Sequence, residues 1–121
     1  MIKENNVFLD SELSEKERNK MNAKFHILPV PLEKTVSFGT GTSKGPEAIL
    51  AASNELERYT GKSEPCLDGI YTYPIIDCDK PIDQVIDNIK IITKEISRNN
   101  KIAITIGGEH SITYGAVNGV F

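Results

Sequence analysis

Apolar positions along this chain come in two kinds of pattern: short unbroken runs, and longer stripes spaced by three or four residues. The run Phe25-His26-Ile27-Leu28-Pro29-Val30 predicts a buried strand, with Pro29 near its end. A turn-rich loop follows as far as Gly45. Pro46 suits a first helical turn, where its missing N–H would have no partner anyway. Ile49, Ala52, Leu56 and Tyr59 then repeat at helical spacing, with Gly61 as the expected C-cap. Gly69 to Ile76 reads as a second strand that ends at Asp77-Cys78-Asp79. Pro81 opens a second helix, Ile82, Val85, Ile89, Ile92 and Ile96 form its apolar stripe, and Asn99-Asn100 stops it. Lys101 to Ile106 reads as a third buried strand, and a third helix begins soon after.

The predicted order is β-α-β-α-β. Strands alternating with amphipathic helices imply an α/β fold, here a three-layer α/β/α arrangement with a mainly parallel sheet and right-handed crossovers. In such sheets ligands gather beyond the carboxyl ends of the strands. Segments 31–45, 77–79 and 107–111 all fall at that end. Residues 1–22 are more charged and include Glu15-Lys16-Glu17-Arg18. They read as a charged N-terminal arm or short surface helix, with Ser14 and Glu17 placed as a capping box. Val7-Phe8-Leu9 is the stretch that would anchor it to the main body, residues 23–121.

Composition narrows the classes. The 121 residues are enough for one domain with a real core, and 39% hydrophobic against 26% charged is a globular balance. A net charge of −3 with scattered cations gives no reason to expect nucleic acid. No apolar run approaches a membrane span, and the first residues do not open a signal peptide, so no membrane partner is expected. Cys66 and Cys78 match neither zinc spacing nor a disulfide framework, and a cytoplasmic, reducing location is the default expectation.

Three segments could carry chemistry. Gly39-Thr40-Gly41-Thr42-Ser43-Lys44-Gly45 could cradle an anion on backbone N–H groups, but its spacing is that of neither common nucleotide motif. A loop with a positive-φ glycine and tight packing is the expected role. Asp77 and Asp79 could hold a hard cation; loop support is expected instead. Gly107-Gly108-Glu109-His110-Ser111 is the sharpest candidate, because two glycines after a strand let the next side chains project at the sheet rim. His110 can offer a neutral nitrogen to a metal or move a proton near pH 7. Glu109 could fix that imidazole, and Ser111 and Thr113 could cap the coming helix. His26, mid-strand, is expected to pack. Adjacent His110 and Ser111 do not face one another and no nucleophile elbow exists, which argues against a serine hydrolase.

The stretch GGEHSIT resembles the first signature of the arginase/agmatinase (ureohydrolase) family, a G-G-[DE]-H-S pattern whose histidine binds manganese. A second stretch, Gly41-Thr42-Ser43-Lys44-Gly45-Pro46-Glu47-Ala48-Ile49, looks like that family's G-T-x-x-G-P-x-A-I segment. Val7-Phe8-Leu9 and Pro31 to Ser37 also look like the beginning and first strand-loop of bacterial agmatinases. The resemblance implies a hydrolase with two manganese ions that releases urea or formamide from a guanidinium or amidine carbon. His110 would be a terminal manganese ligand, with Glu109 and Ser111 behind it and Gly41, Gly45, Pro46, Gly107 and Gly108 shaping the loops. Glu109 in place of aspartate leans toward agmatinase-like members. A small guanidino substrate such as agmatine is implied, with polyamine metabolism as the setting and a homo-oligomer as the assembly.

Two departures qualify that implication. The family's D-A-H-x-D and S-x-D-x-D-x-x-D-P signatures, which supply the remaining ligands, do not occur, and Leu50 stands where the family usually has arginine. The expectation is therefore the N-terminal portion of a ureohydrolase, a fragment inactive alone, whose open sheet edge predicts self-association or partner pairing. The alternatives are a non-catalytic α/β interaction or regulatory module, and a small flavodoxin-like domain holding an anion at 39–45.

Overall fold

The computed structural model of the chain describes residues 7–34 and 40–121. Three parallel strands, β1 (Phe25–Val30), β2 (Ile70–Thr72) and β3 (Ile102–Gly107), form one sheet in the order β2-β1-β3. Phe25 lies opposite Ile70 on one side and Ile102 on the other. The three helices are α1 (Gly45–Ser53), α2 (Ile82–Arg98) and α3 (Ile112–Val120).

Alternation along β1 builds two cores. Ile27 packs with Leu9, Leu13, Leu50 and Ile70 on the α1 face. Leu28 and Val30 pack with Leu32, Ile76, Val85, Ile89 and Ile112 on the α2/α3 face. Helices therefore cover both faces, and the three-layer α/β fold is present. Among the described residues, no helix is long and apolar enough to cross a membrane. α3 lies close against α2 because Gly115 and Gly119 bring bare backbone to the contact; a Cβ on Gly119 would lie 2.6 Å from Lys90 O and run into Thr93.

The predicted elements hold for β1, α2 and β3, with differences elsewhere. α1 stops at Ser53, and its buried positions are Pro46, Leu50 and Ser53. The expected stripe Ile49, Ala52, Leu56 and Tyr59 is exposed instead. Ser53 sets that phase: its hydroxyl donates to Leu50 O and accepts from Leu9 N–H, so a serine is buried where the pattern suggested a hydrophobe. β2 is only three residues long because Pro74 lacks the N–H that a longer ladder needs, although Tyr73 and Ile76 still donate to Ile27 O and Pro29 O. Among the described residues β3 lies at one side of the sheet, with Ile102 and Ile104 exposed at 45% and 41%.

The N-terminal segment is more than a solvated arm. Phe8 and Leu9 anchor it as expected, and Leu13 joins the same core. Ser14 and Glu17 make the reciprocal capping bonds, Glu17 N–H to Ser14 Oγ at 3.2 Å and Ser14 N–H to Glu17 Oε1 at 2.9 Å, on turns rather than a regular helix. Arg58, buried, pairs with Glu17 through both terminal nitrogens and donates to Pro65 O and Glu12 O. This ion pair holds the Glu17 carboxyl down at about 2, the Arg58 hydrogen bond being the largest cause. His26 packs as expected, in a three-ring cluster with Tyr71 and Tyr73 whose centroids lie 5.3 and 5.8 Å away, with Nε2 against Lys20 O and Ala23 O. Nε2 therefore carries the proton, and burial pushes the imidazole pKa down.

Candidate functional site

The sequence-predicted site residues meet at the carboxyl end of β3. Gly107 ends the strand and Gly108 turns with φ +38°, seated against backbone: a Cβ there would lie 2.5 Å from Val30 O, 2.7 Å from Leu32 N and 2.8 Å from Leu32 O. The following N–H, that of Glu109, donates to Leu32 O at 2.9 Å. The turn is thus clamped onto the chain leaving β1.

Glu109 is buried, and its carboxylate completes the clamp. Oε2 accepts Lys34 N–H at 2.9 Å and Oε1 accepts the Ser111 hydroxyl at 2.7 Å. These described bonds run to the neighbouring loop and to the residue beyond His110. Ser111 precedes α3 but makes no side-chain cap; its hydroxyl is used by Glu109. With the acid below it held on both oxygens, His110 is left exposed at the rim.

The other motif segment arrives at the same place. Gly41, at φ +109°, enters a short 3₁₀ turn (Thr42–Lys44), and α1 starts directly afterwards with Pro46 in its first turn. Gly45 packs so closely that a Cβ would lie 3.3 Å from Gly107 O. Two motifs far apart in sequence are therefore neighbours in space.

Sequence reasoning missed Glu33. Its Oε1 accepts both Gly41 N–H and Ser43 N–H at 2.9 Å, and those bonds, that from Ser43 first, hold its carboxyl below the usual range. The anion that this glycine loop cradles is the chain's own carboxylate, which removes the case for a bound phosphate on these groups. Thr35 to Gly39, part of the loop as read from sequence, lie outside the described residues. Asp77 plays the loop role expected of it, accepting Asp79 N–H at 2.9 Å. Among the described residues no three His, Cys, Asp or Glu side chains come together as a metal group.

The profile of the arginase family matches residues 23–121, which span every strand and helix of this fold. The chain belongs to the arginase family. It is 37% identical over 103 residues to the N(1)-aminopropylagmatine ureohydrolase of Synechocystis sp., covering 75% of this chain and 32% of the relative. A ureohydrolase of the same name from Thermus thermophilus is 29% identical over 106 residues, 85% of this chain and 36% of the relative. Among solved structures, the agmatine ureohydrolase of Thermoplasma volcanium superposes with a TM-score of 0.75 at 28% identity, covering 90% of this chain and 40% of that one. The chain spans about a third of the length of the curated relatives it matches.

Proposed function

We propose that this chain supplies one corner of the two-manganese centre of a guanidino hydrolase acting on agmatine or an N-substituted agmatine, with His110 as the metal ligand. The observation that carries the proposal is the convergence of the two family motifs, Gly45 on Gly107, beside a clamped turn that leaves His110 exposed. The substrate class follows from the relatives, which are named for hydrolysis of agmatine or aminopropylagmatine. A cytoplasmic location belongs to the same reading, in keeping with the two free thiols.

The described residues fit one corner of such a centre and not the whole of it, since they offer His110 without a carboxylate cluster. A metal pair, when bound, lowers the pKa of water and stabilises charge developing on the guanidinium carbon. The residues of this chain hold and orient. Gly108 and Glu109 set where His110 stands, and a neutral imidazole nitrogen is the atom it offers. One such ligand binds a borderline metal weakly, so residues 1–121 alone are expected to release no urea from agmatine with Mn²⁺ present.

A chimera tests the assignment. Residues 23–121 replace the matching segment of the Synechocystis ureohydrolase, and urea release from agmatine and N(1)-aminopropylagmatine is followed with Mn²⁺. The expected result is an active chimera that His110→Asn silences, with reduced manganese content and unchanged folding. An active chimera indifferent to His110→Asn refutes the assignment. A folded chimera that binds no manganese favours the second reading, a non-catalytic interaction module.

A further inference from the structure

We propose that Glu33 is a positioning residue of this site: its carboxylate fixes the Gly41–Lys44 turn on the same short stretch of chain whose backbone fixes the turn carrying His110. The placement of Leu32, Glu33 and Lys34 makes the case. Leu32 O accepts Glu109 N–H at 2.9 Å, and Lys34 N–H donates to Glu109 Oε2 at 2.9 Å. Between them, Glu33 Oε1 accepts Gly41 N–H and Ser43 N–H, both at 2.9 Å. The main chain of 32–34 thus holds one family motif, and the side chain in its middle holds the other. Leu32 is fully buried in the cluster of Leu28, Val30 and Ile112, so the stretch itself is anchored in the core.

The tie from Glu33 suits an anion. Gly41 has no side chain with which to cap the Thr42–Lys44 turn, and Glu33 caps it from outside, in the place an N-cap side chain usually takes. Two N–H groups converge on one ionised oxygen, and charge-assisted bonds of that kind are about twice as strong as neutral ones. Gly45 follows the turn directly, with only 3.3 Å between a Cβ there and Gly107 O, so a shift of the turn is felt at the end of β3. The turn stands at the same carboxyl rim of the sheet as the exposed His110, with Thr42 and Ser43 half-buried and Lys44 exposed. On the hydrolase reading above, on which this step rests, a loosened turn weakens the hold on substrate. The clamp on His110 stays closed, because Leu32 and Glu109 make it without the Glu33 side chain.

Two measurements test this, one without hydrolysis and one with it. In the purified chain, Glu33→Ala is expected to speed exchange of the Gly41 and Ser43 amides and to move their proton resonances upfield. The Lys34 and Glu109 amides are expected to keep their wild-type exchange. In the active Synechocystis chimera, the same substitution is expected to raise KM for agmatine by up to about a hundredfold, the cost of a misplacement of about 1 Å. Its kcat and manganese content are expected to stay those of the unsubstituted chimera, a split that general loss of stability would not produce. Glu33→Gln keeps an acceptor oxygen without the charge and is expected to fall between wild type and Glu33→Ala on both readouts. Should Glu33→Ala fail to fold, Glu33→Gln decides. Unchanged Gly41 and Ser43 amides overturn the proposal, whether or not the chimera is active. So does an active chimera in which the loss falls on kcat or on bound manganese. A chimera inactive before any substitution sinks the hydrolase reading instead, and the amides then decide whether Glu33 holds the turn.

Discussion

Substituting Gly108 by alanine is expected to unfasten the site from the fold. The φ of +38° puts the residue in the left-handed region, where a Cβ costs about 1–2 kcal/mol. The new methyl would also lie 2.5 to 2.8 Å from three backbone atoms of Val30 and Leu32, none of which can rotate away as a side-chain tip does. Overpacking of that kind costs about 1–3 kcal/mol, for a total of about 2–5. Gly41→Ala is the control: its φ is +109°, but nothing lies within 4 Å, so only a backbone cost of about 1–3 kcal/mol applies. Urea unfolding followed by far-ultraviolet circular dichroism measures both variants. With a slope of about 2 kcal/mol per molar, the Gly108→Ala midpoint is expected about 1–2.5 M below wild type, and below that of Gly41→Ala. Amide exchange supplies a local readout, since Glu109 N–H and Lys34 N–H, bonded to Leu32 O and Glu109 Oε2, should exchange faster. The reasoning fails if Gly108→Ala unfolds no earlier than Gly41→Ala, or if those two amides keep their protection.

Glu109→Ala leaves Lys34 N–H and the Ser111 hydroxyl without their acceptor and is expected to cost about 1–3 kcal/mol in the same assay. His110→Ala, at an exposed position, should stay within about 0.5 kcal/mol of wild type; the reverse ranking would refute the division of labour drawn here. Glu17 has its folded pKa lowered to about 2 from 4.5, so its stabilisation is present above pH 4.5 and fades as pH falls from there toward 2. Glu17→Gln should remove about 2 kcal/mol at pH 7, a value discounted for the solvent reaching Glu17, and flatten the acid limb of the urea-stability profile; superimposable profiles would count against the ion pair. His26 has its pKa lowered by burial, so below about pH 6.5 the unfolded chain takes up a proton that the folded chain refuses, and stability falls with pH there. Its ring C–H resonances should remain those of a neutral imidazole through pH 6.5, and a midpoint at or above 6.5 would contradict this.

β1, α2 and β3 were legible because each announces itself by an unbroken apolar run or a full apolar stripe. α1 was placed correctly at Pro46 but turned the wrong way. Ile49 and Leu50 are adjacent, either can start a stripe, and the phase is decided by Ser53, whose burial depends on a hydrogen bond from Leu9 that no local pattern reveals. The strand character of β3 was legible, whereas its place beside β1 is a property of pairing, and hence of residues far away in sequence. In the site, His110 and the two glycines stood out by residue type and spacing. Glu33 did not: a single acid in a loop carries no signal until Gly41 and Ser43 are folded back onto it. Glu109 was picked out for its proximity to His110, yet its bonds to Lys34 and Ser111 tie together two loops.

The strand order carries a consequence for biogenesis. β1 is the first of the three strands to leave the ribosome and the one that ends between the other two, so both of its flanks must wait for later sequence. Between Phe25 and its partner Ile102 lies most of the chain, and at ~5–20 residues per second that delay is on the order of ten seconds. Until Ile70–Thr72 emerges, Ile27, Leu28 and Val30 have no sheet to join, and the nascent chain presents a sticky segment suited to a holding chaperone. Synthesis rate and chaperone supply should then affect, alongside the stability of the fold, how much of this protein a cell recovers folded.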